Sequence, residues 1–201
     1  MENALMISVV LLWVVVIGLI MVVIALARQI GILHERIAPA GALSTGGGPK
    51  VGDAAPSLAV KDLAGEVHHL GPAEVSLADA KSQLIFFLAP SCPVCKTLLP
   101  VIRSSARAER GWLDVMLASD GELEKQQAFI EREKLDDFPY VLSTELGMTY
   151  QVDKLPYAVL IDEQGILRAK GLVNSREHLE SLFEAKKTGI ASIQEYFQQA
   201  G

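Results

Sequence analysis

The chain has 201 residues, half of them apolar, and a net charge of −6 at pH 7. This length suits one ordinary domain with an appendage. The acidic balance and the lack of any Lys/Arg block argue against a nucleic-acid partner, because such proteins present a basic surface to the phosphates. The mean hydropathy of +0.31 is high for a soluble domain, and the excess lies at the amino terminus.

An uncharged, apolar segment runs from Asn3 to Ala27. As a helix it would span about 37 Å, against about 30 Å of hydrocarbon core. We therefore expect a transmembrane anchor over residues 1–27, with residues 4–27 in contact with the membrane. A cleaved signal peptide is the alternative, because Ala25-Leu26-Ala27 has the small-x-small spacing of a cleavage site. The start of the chain lacks the basic region of a signal peptide, which favours the anchor.

Residues 28–50 are expected to form a flexible linker, in which Arg28 to Arg36 extend the helix briefly and residues 37–50, with Gly46-Gly47-Gly48 near their end, are the flexible part. Its Gly-rich part would span about 20 Å on average and would tether a domain predicted over residues 51–187. Residues 188–201 are expected to form a tail or a short helix. The Gly run is not a phosphate-binding loop, because no GxxxxGK[ST] pattern follows it.

Apolar runs between turn residues predict seven short strands in the domain. These are Leu58–Lys61, Val67–Leu70, Leu84–Leu88, Trp112–Ala118, Tyr140–Leu142, Tyr157–Ile161 and Ile166–Ala169. Gly65 and Gly165 occupy the turns of two hairpins. Helical periodicity predicts a helix after Pro93, with Pro100 inside it, and three more helices. These cover Gly121–Lys134, Ser143–Tyr150 and a stretch that begins with the capping pair Asn174 and Glu177 and ends near Lys186. Alternating strands and helices that end in a hairpin indicate an α/β domain with a mixed central sheet.

The two cysteines of the chain, Cys92 and Cys95, stand at a strand-to-helix corner. Two thiols at this spacing can close a disulfide or supply a thiolate, so electron exchange is the first functional hypothesis. Cys92 at a helix N-terminus is the expected nucleophile, and we expect its pKa to lie below the free value of about 8.5. Cys95, nearer the core, would be the resolving thiol.

This order of parts resembles the thioredoxin fold. The resemblance rests on Cys92-Pro93-Val94-Cys95 at the corner, on Pro100, and on Leu155-Pro156 before a strand of the closing hairpin. It implies a cis-proline loop that faces the cysteines, with Leu155 and Pro156 binding an extended substrate. The sequence departs from the thioredoxin pattern at Ser91, where an aromatic residue is common, and at Phe86, where thioredoxins have a buried acid.

The anchor, the Gly/Pro linker and the segment Ala89–Lys96 resemble the membrane-anchored MauD family of methylamine dehydrogenase accessory proteins. That resemblance implies a thiol–disulfide helper for the disulfide-rich small subunit of methylamine dehydrogenase. It also implies a periplasmic catalytic domain on a single-pass membrane protein, with an electron-exchange partner that the sequence does not identify. Arg28 and Arg36, which follow the apolar run, point the other way by the positive-inside rule.

Two other functions stay open from the sequence: a cytochrome-maturation reductant of the same fold, and a chaperone or metal-delivery module without turnover. A redox titration distinguishes the first, and replacing both cysteines distinguishes the second. No cofactor is expected, because Lys96 replaces the His of a haem-attachment motif. No metal site is expected either, because His68, His69 and His178 lie far from the cysteines in sequence.

Overall fold

The computed structural model describes residues 2–36, 48–72 and 80–188. The chain divides into two compact units, Met1–Gly41 and Ala42–Gly201. The tail predicted beyond residue 188 and linker residues 37–47 lie outside the described residues.

The described part of the first unit is one helix, α1 (Glu2–Arg36). Its stretch Met6–Val23 is long and apolar enough to cross a membrane. The side chains described in this stretch are exposed. The helix extends past the end of the predicted anchor at Ala27, through the first part of the predicted linker.

The second unit contains a two-stranded hairpin and a five-stranded sheet. In the hairpin, β1 (Leu58–Lys61) and β2 (Val67–Leu70) are antiparallel. The sheet has the order β5-β4-β3-β6-β7, with β3, β4 and β5 parallel and β6 and β7 antiparallel to their neighbours. Its strands are β3 (Ser82–Phe87), β4 (Leu113–Ser119), β5 (Tyr140–Leu142), β6 (Tyr157–Ile161) and β7 (Leu167–Leu172). The predicted mixed sheet of an α/β domain is confirmed.

Three helices connect these strands, α2 (Pro93–Ala108), α3 (Leu123–Glu133) and α4 (Thr144–Thr149), and a fourth, α5 (Arg176–Thr188), follows β7. The central strand β3 is buried on both sides of the sheet, as its continuous apolar run predicts. Leu84 and Phe86 pack on what we call the helix face, together with side chains of α2, α3 and α5. Ile85 and Phe87 pack on the hairpin face, with side chains of β1, β2 and α4. Each such buried Leu, Ile or Phe stabilises the fold by about 1.5–3 kcal/mol relative to an exposed one.

Helix α2 continues through Pro100, which lies on its exposed side. One turn further on, Arg103 donates to the carbonyl oxygens of Glu133 (3.3 Å) and Lys134 (2.6 Å) at the end of α3. Carbonyl groups at a helix C-terminus lack intrahelical partners and carry partial negative charge. The Arg103 guanidinium supplies them with hydrogen-bond donors and a compensating positive charge. This contact fixes α3 against the helix that carries the cysteines.

The start of α5 differs from the predicted cap at Asn174. Ser175 is the capping residue, because its Oγ accepts the His178 N–H (3.3 Å). The Val173 N–H still donates to the carbonyl of Pro156 (3.0 Å), so the chain leaves the sheet too late for Asn174 to cap. The Asn174 N–H instead donates to Nδ1 of His178 (3.3 Å).

The far end of α5 is held at the start of β3. Lys186 Nζ lies 2.9 Å from Glu163 Oε2, which also accepts from Ser82 Oγ at 2.9 Å. The same ammonium lies 4.4 Å from the centre of the Trp112 ring, within cation–π range. The Lys186 hydrogen bond lowers the pKa of Glu163 to about 2, so the carboxylate is charged at neutral pH.

A segment before β1 is hydrogen-bonded to the β6–β7 hairpin. The Gly52 N–H donates to the Leu167 carbonyl (2.8 Å), and the Ala55 N–H donates to the Gly165 carbonyl (2.8 Å). Gly52 and Gly165 both have positive φ, +93° and +77°. They differ in their surroundings: a Cβ on Gly165 would overlap the backbone of Pro72, whereas a Cβ on Gly52 would meet nothing within 4 Å.

We expect Gly165→Ala to destabilise the domain far more than Gly52→Ala. The Gly52 substitution costs only the left-handed backbone strain, about 1–2 kcal/mol. At Gly165 the overlap with Pro72 adds at least about 2 kcal/mol. Urea unfolding of the two variants measures both values, and equal losses would contradict the close approach seen at Gly165.

Candidate active site

The cysteine corner begins where β3 ends. The Leu88 N–H continues the parallel pairing by donating to the Ala118 carbonyl (3.0 Å). A turn follows, in which the Cys92 N–H donates to the Ala89 carbonyl (3.0 Å). Helix α2 then begins at Pro93, whose missing N–H costs nothing in the first turn. The corner therefore delivers Cys92 to the amino end of a 16-residue helix.

Cys92 is itself the N-cap of α2. Its Sγ accepts the N–H of Cys95 at 3.1 Å, and its backbone is extended. A sulfur at this position faces the unpaired N–H groups and the positive end of the helix dipole. Both favour a thiolate at Cys92 over a thiol.

The two cysteines form a disulfide, with their Cα atoms 5.3 Å apart. Their environments differ: Cys92 is half-buried, whereas Cys95 is fully enclosed (0% exposed). An attacking partner can therefore reach Cys92 but not Cys95. The predicted roles, Cys92 as nucleophile and Cys95 as resolving thiol, require this difference in exposure.

Cys95 lies in the core of the helix face. The cluster that contains it includes Phe86 and Leu88 of β3 and Leu98 and Leu99 of α2. Phe86 is fully buried, so the position at which thioredoxins carry an acid is here part of an apolar wall.

The proline loop lies at the same edge of the sheet as the cysteine corner. Phe87, the last residue of β3, pairs with Tyr157, the first residue of β6. Pro156 therefore lies across from Leu88, and the Leu155–Pro156 peptide bond is cis. The Pro156 carbonyl accepts the Val173 N–H.

Leu155 presents both side chain and backbone at this edge. Its side chain is exposed (37%). Among the residues that the structure describes, no hydrogen bond occupies its N–H or carbonyl. Val94, between the cysteines, is also exposed. The edge thus combines a reactive sulfur, free peptide groups and apolar surface.

The histidines predicted to have no metal role are distributed as follows. His68 Nε2 lies 2.8 Å from Asp62 Oδ2, and the Glu66 carboxylate is close enough to complete a three-residue cluster. The Asp62 Oδ1 accepts the Glu66 N–H (2.8 Å), and the His68 hydrogen bond lowers the pKa of Asp62. These contacts close the β1–β2 turn, so the cluster has a structural explanation. The Nδ1 of His178 accepts the Asn174 N–H.

Sequence reasoning missed Val173, which holds the carbonyl of Pro156. Residue type carries no signal for this role, because any residue except proline can donate a backbone N–H. Only the register between β6 and β7 could have identified it.

Comparison with known proteins agrees with this geometry. The family model described as Redoxin matches residues 50–186. The methylamine utilization protein MauD of Paracoccus denitrificans is 48% identical over 196 residues, which cover 98% of this chain and 96% of that protein. The MauD protein of Methylorubrum extorquens is 48% identical over 187 residues, covering 93% and 89% of the two chains.

Solved structures show the same fold at lower identity. StoA from Bacillus subtilis is 21% identical with a TM-score of 0.52, covering 64% of this chain and 96% of StoA. The thioredoxin domain of a thiol-disulfide oxidoreductase from Bacteroides vulgatus is 19% identical with a TM-score of 0.54, covering 67% and 96%.

Fold and cysteine corner together define a thioredoxin-like protein of the redoxin class. The sequence similarity to the MauD proteins identifies a more specific family than this class. It extends over nearly the whole chain, including the apolar helix, and not over the thioredoxin-like domain alone. The chain belongs to the MauD family of methylamine utilization proteins.

The difference in burial predicts unequal reactivity of the two thiols. After reduction, we expect iodoacetamide to alkylate Cys92 at least about tenfold faster than Cys95, because the reagent needs an accessible thiolate. Peptide mass spectrometry over a time course measures both rates. In guanidinium the rates should converge, and equal rates in the native protein would contradict the enclosed position of Cys95.

Proposed function

We propose that the protein is a membrane-anchored thiol–disulfide oxidoreductase or isomerase that acts during maturation of methylamine dehydrogenase. The observation that carries the proposal is the half-buried Cys92 at the start of α2, in a disulfide with an enclosed Cys95. Its MauD relatives are named as methylamine utilization proteins. The disulfide-rich small subunit of methylamine dehydrogenase is the client that this combination favours.

The chemistry follows from the positions of the two sulfurs. The Cys92 thiolate attacks a client disulfide, which forms a Cys92–client disulfide and releases the other client sulfur as a thiolate. The Cys95 thiolate can then attack Cys92 Sγ. This closes the Cys92–Cys95 disulfide and releases the client with two added electrons. The reverse sequence oxidises a client dithiol and leaves both cysteines reduced.

Leu155 and Pro156 are proposed to bind the client near its reacting disulfide. An extended client segment can donate to the Leu155 carbonyl and accept from its N–H, as an added strand does. The free peptide groups of Leu155 and its exposed side chain support this role. Because backbone groups carry most of the recognition, sequence selectivity at this position should be modest.

We propose a periplasmic location for the catalytic domain. Structural disulfides form and persist in oxidising compartments such as the periplasm. The apolar stretch of α1 supplies the means of attachment to the membrane. Arg28 and Arg36 oppose this orientation, but two charges are a small bias.

A Cys95→Ser variant should capture the client. Without the resolving thiol, the mixed disulfide on Cys92 cannot be released by Cys95. Non-reducing electrophoresis and mass spectrometry should identify the small subunit of methylamine dehydrogenase as the trapped protein. Cys92→Ser is the matched control and should trap nothing. A double Cys→Ser variant that still supports an active dehydrogenase would contradict the redox role and favour a binding chaperone.

A topology fusion tests the location. Alkaline phosphatase joined after Gly201 should be active in intact cells, because the enzyme needs its own disulfides and folds only outside the cytoplasm. The paired fusion to β-galactosidase should be inactive. The opposite pattern would place the domain in the cytoplasm.

A further inference from the structure

We propose that the reduced protein rearranges client disulfides through a long-lived mixed disulfide on Cys92, because no described side chain is placed to take the proton of Cys95. The inference rests on the proposed function, since it concerns the release step of the same site. It selects isomerisation over net reduction and identifies the preferred client as a protein with several cysteines.

The first observation is where the buried charges lie. Within residues 48–72 and 80–188, the buried charged side chains are Asp62, Asp162 and Lys170. Asp62 belongs to the turn between β1 and β2 and pairs with His68. Asp162 belongs to the turn between β6 and β7 and pairs with Arg168. In the register of β6 and β7, Lys170 stands directly across from Val159, a residue of the hairpin face, so the Lys170 side chain lies on that face too. Lys170 therefore lies on the opposite face from Cys95, and Asp162 follows β6 at the end of that strand opposite to Pro156.

The strands that form the wall around Cys95 are apolar on that face. Strand β3 contributes Leu84 and Phe86, and β6 contributes Ala158 and Leu160. Strand β4 adds Leu117 and, at its end, the hydroxyl of Ser119. A hydroxyl is no base at neutral pH, so these strands offer no proton acceptor.

Strand β5 and helix α3 bring two titratable groups to the helix face, and each already has a hydrogen-bond or ion-pair partner. The Tyr140 hydroxyl donates to Gln126 Oε1 at 2.6 Å, and burial raises the pKa of Tyr140 to about 12. Glu133 of α3 lies 3.0 Å from Arg132 Nε. Tyr140 thus stays protonated, and the Glu133 carboxylate is compensated by its neighbouring guanidinium.

Helices α2 and α5 complete the surroundings. Lys96 and Arg103 of α2 are cations and cannot accept a proton. His178 of α5 uses its Nδ1 to accept the Asn174 N–H. The start of α5 contacts α2 through Arg176 and Ser104, nine residues after Cys95 and therefore about 13 Å along the helix. Lys186, at the other end of α5, pairs with Glu163.

The second observation is the complete enclosure of Cys95 (0% exposed). Its place in the first turn of α2 favours a thiolate, because the helix N-terminus is positive. Enclosure by apolar side chains opposes it, and the desolvation of a buried ion exceeds a helix-terminus interaction severalfold. Cys95 therefore remains a thiol in the mixed disulfide, and its attack on Cys92 is slow.

Slow release by Cys95 leaves time for a reaction within the client. When Cys92 attacks a client disulfide, the second client sulfur leaves as a thiolate. That thiolate, or another client thiolate, attacks the client sulfur bonded to Cys92, forms a new client disulfide and returns Cys92 as a thiolate. No electrons are transferred overall, so the cycle needs no reductant or oxidant.

The release step can be measured with oxidised glutathione and the full reduced chain in detergent micelles. Acid quenching and mass spectrometry follow the glutathione adduct on Cys92 as it converts to the Cys92–Cys95 disulfide. We expect the conversion rate to rise about tenfold per pH unit from about pH 6 to 8.5, in proportion to the Cys95 thiolate. A rate that levels off below about pH 7 would reveal an acceptor and overturn the inference. A chain that reaches the Cys92–Cys95 disulfide without an observable adduct would also overturn the inference, whereas a chain that stays fully reduced would instead refute the proposed function.

His178→Gln is the control for the half-buried imidazole of α5, the helix that contacts α2 through Arg176 and Ser104, and it should leave the rate and its pH profile unchanged. A profile that loses a step in this variant would make His178 the acceptor and would overturn the inference. Because His178 lies outside the cysteine motif and the proline loop, the variant tests proton transfer alone.

Scrambled ribonuclease A tests the consequence for clients. With the reduced chain present and no other thiol, ribonuclease activity should return while most of the chain stays reduced, as thiol alkylation and mass spectrometry would show. Oxidation of the chain in proportion to the ribonuclease, without recovered activity, would identify a reductase and overturn the inference.

Discussion

Antiparallel pairing between β3 and β6 joins two parts of the chain that are far apart in sequence. Because Phe87 pairs with Tyr157, the residues that follow β3 and those that precede β6 leave the sheet at one edge. Cys92 lies on one of these extensions, and Pro156 lies on the other. The backbone bond between Val173 and Pro156 adds β7 to the same arrangement. A shift of this register by one residue would turn each side chain of β6 to the opposite face of the sheet, and the cysteine corner and the proline loop would no longer be aligned.

The first turn of α2 serves both structure and chemistry. Cys92 Sγ satisfies a helix N–H that would otherwise lack a partner, and the same environment prepares the sulfur for attack. Cys95, three residues later, packs among the side chains that hold α2 to the sheet. The two sulfurs are one helical turn apart but have different surroundings: Cys92 Sγ lies at the helix N-terminus, and Cys95 Sγ lies among apolar core side chains.

Several elements were predictable because their signal is local. Strands β1, β2, β5 and β6 have the predicted limits, since apolar runs and flanking turn residues define them. Strand β7 is longer than predicted, because Lys170, Gly171 and Leu172 form a strand only through pairing with β6. The N-cap of α5 is Ser175 and not the predicted Asn174, because the Val173 N–H still bonds to the Pro156 carbonyl and the helix begins later. In the site, spacing identified the cysteines, whereas the free peptide groups of Leu155 depend on non-local pairing that residue types do not encode.

The segment that precedes β2 reaches both outer strands of the sheet. Ala54 bridges to Ile166 beside β7, and Asp62 bridges to Val141 of β5. Unpaired outer strands tend to recruit strands from other molecules and so promote aggregation. These two bridges occupy part of each border and hinder its pairing with a strand of another molecule. A soluble fragment that is cut after Pro56 would lose the protection beside β7.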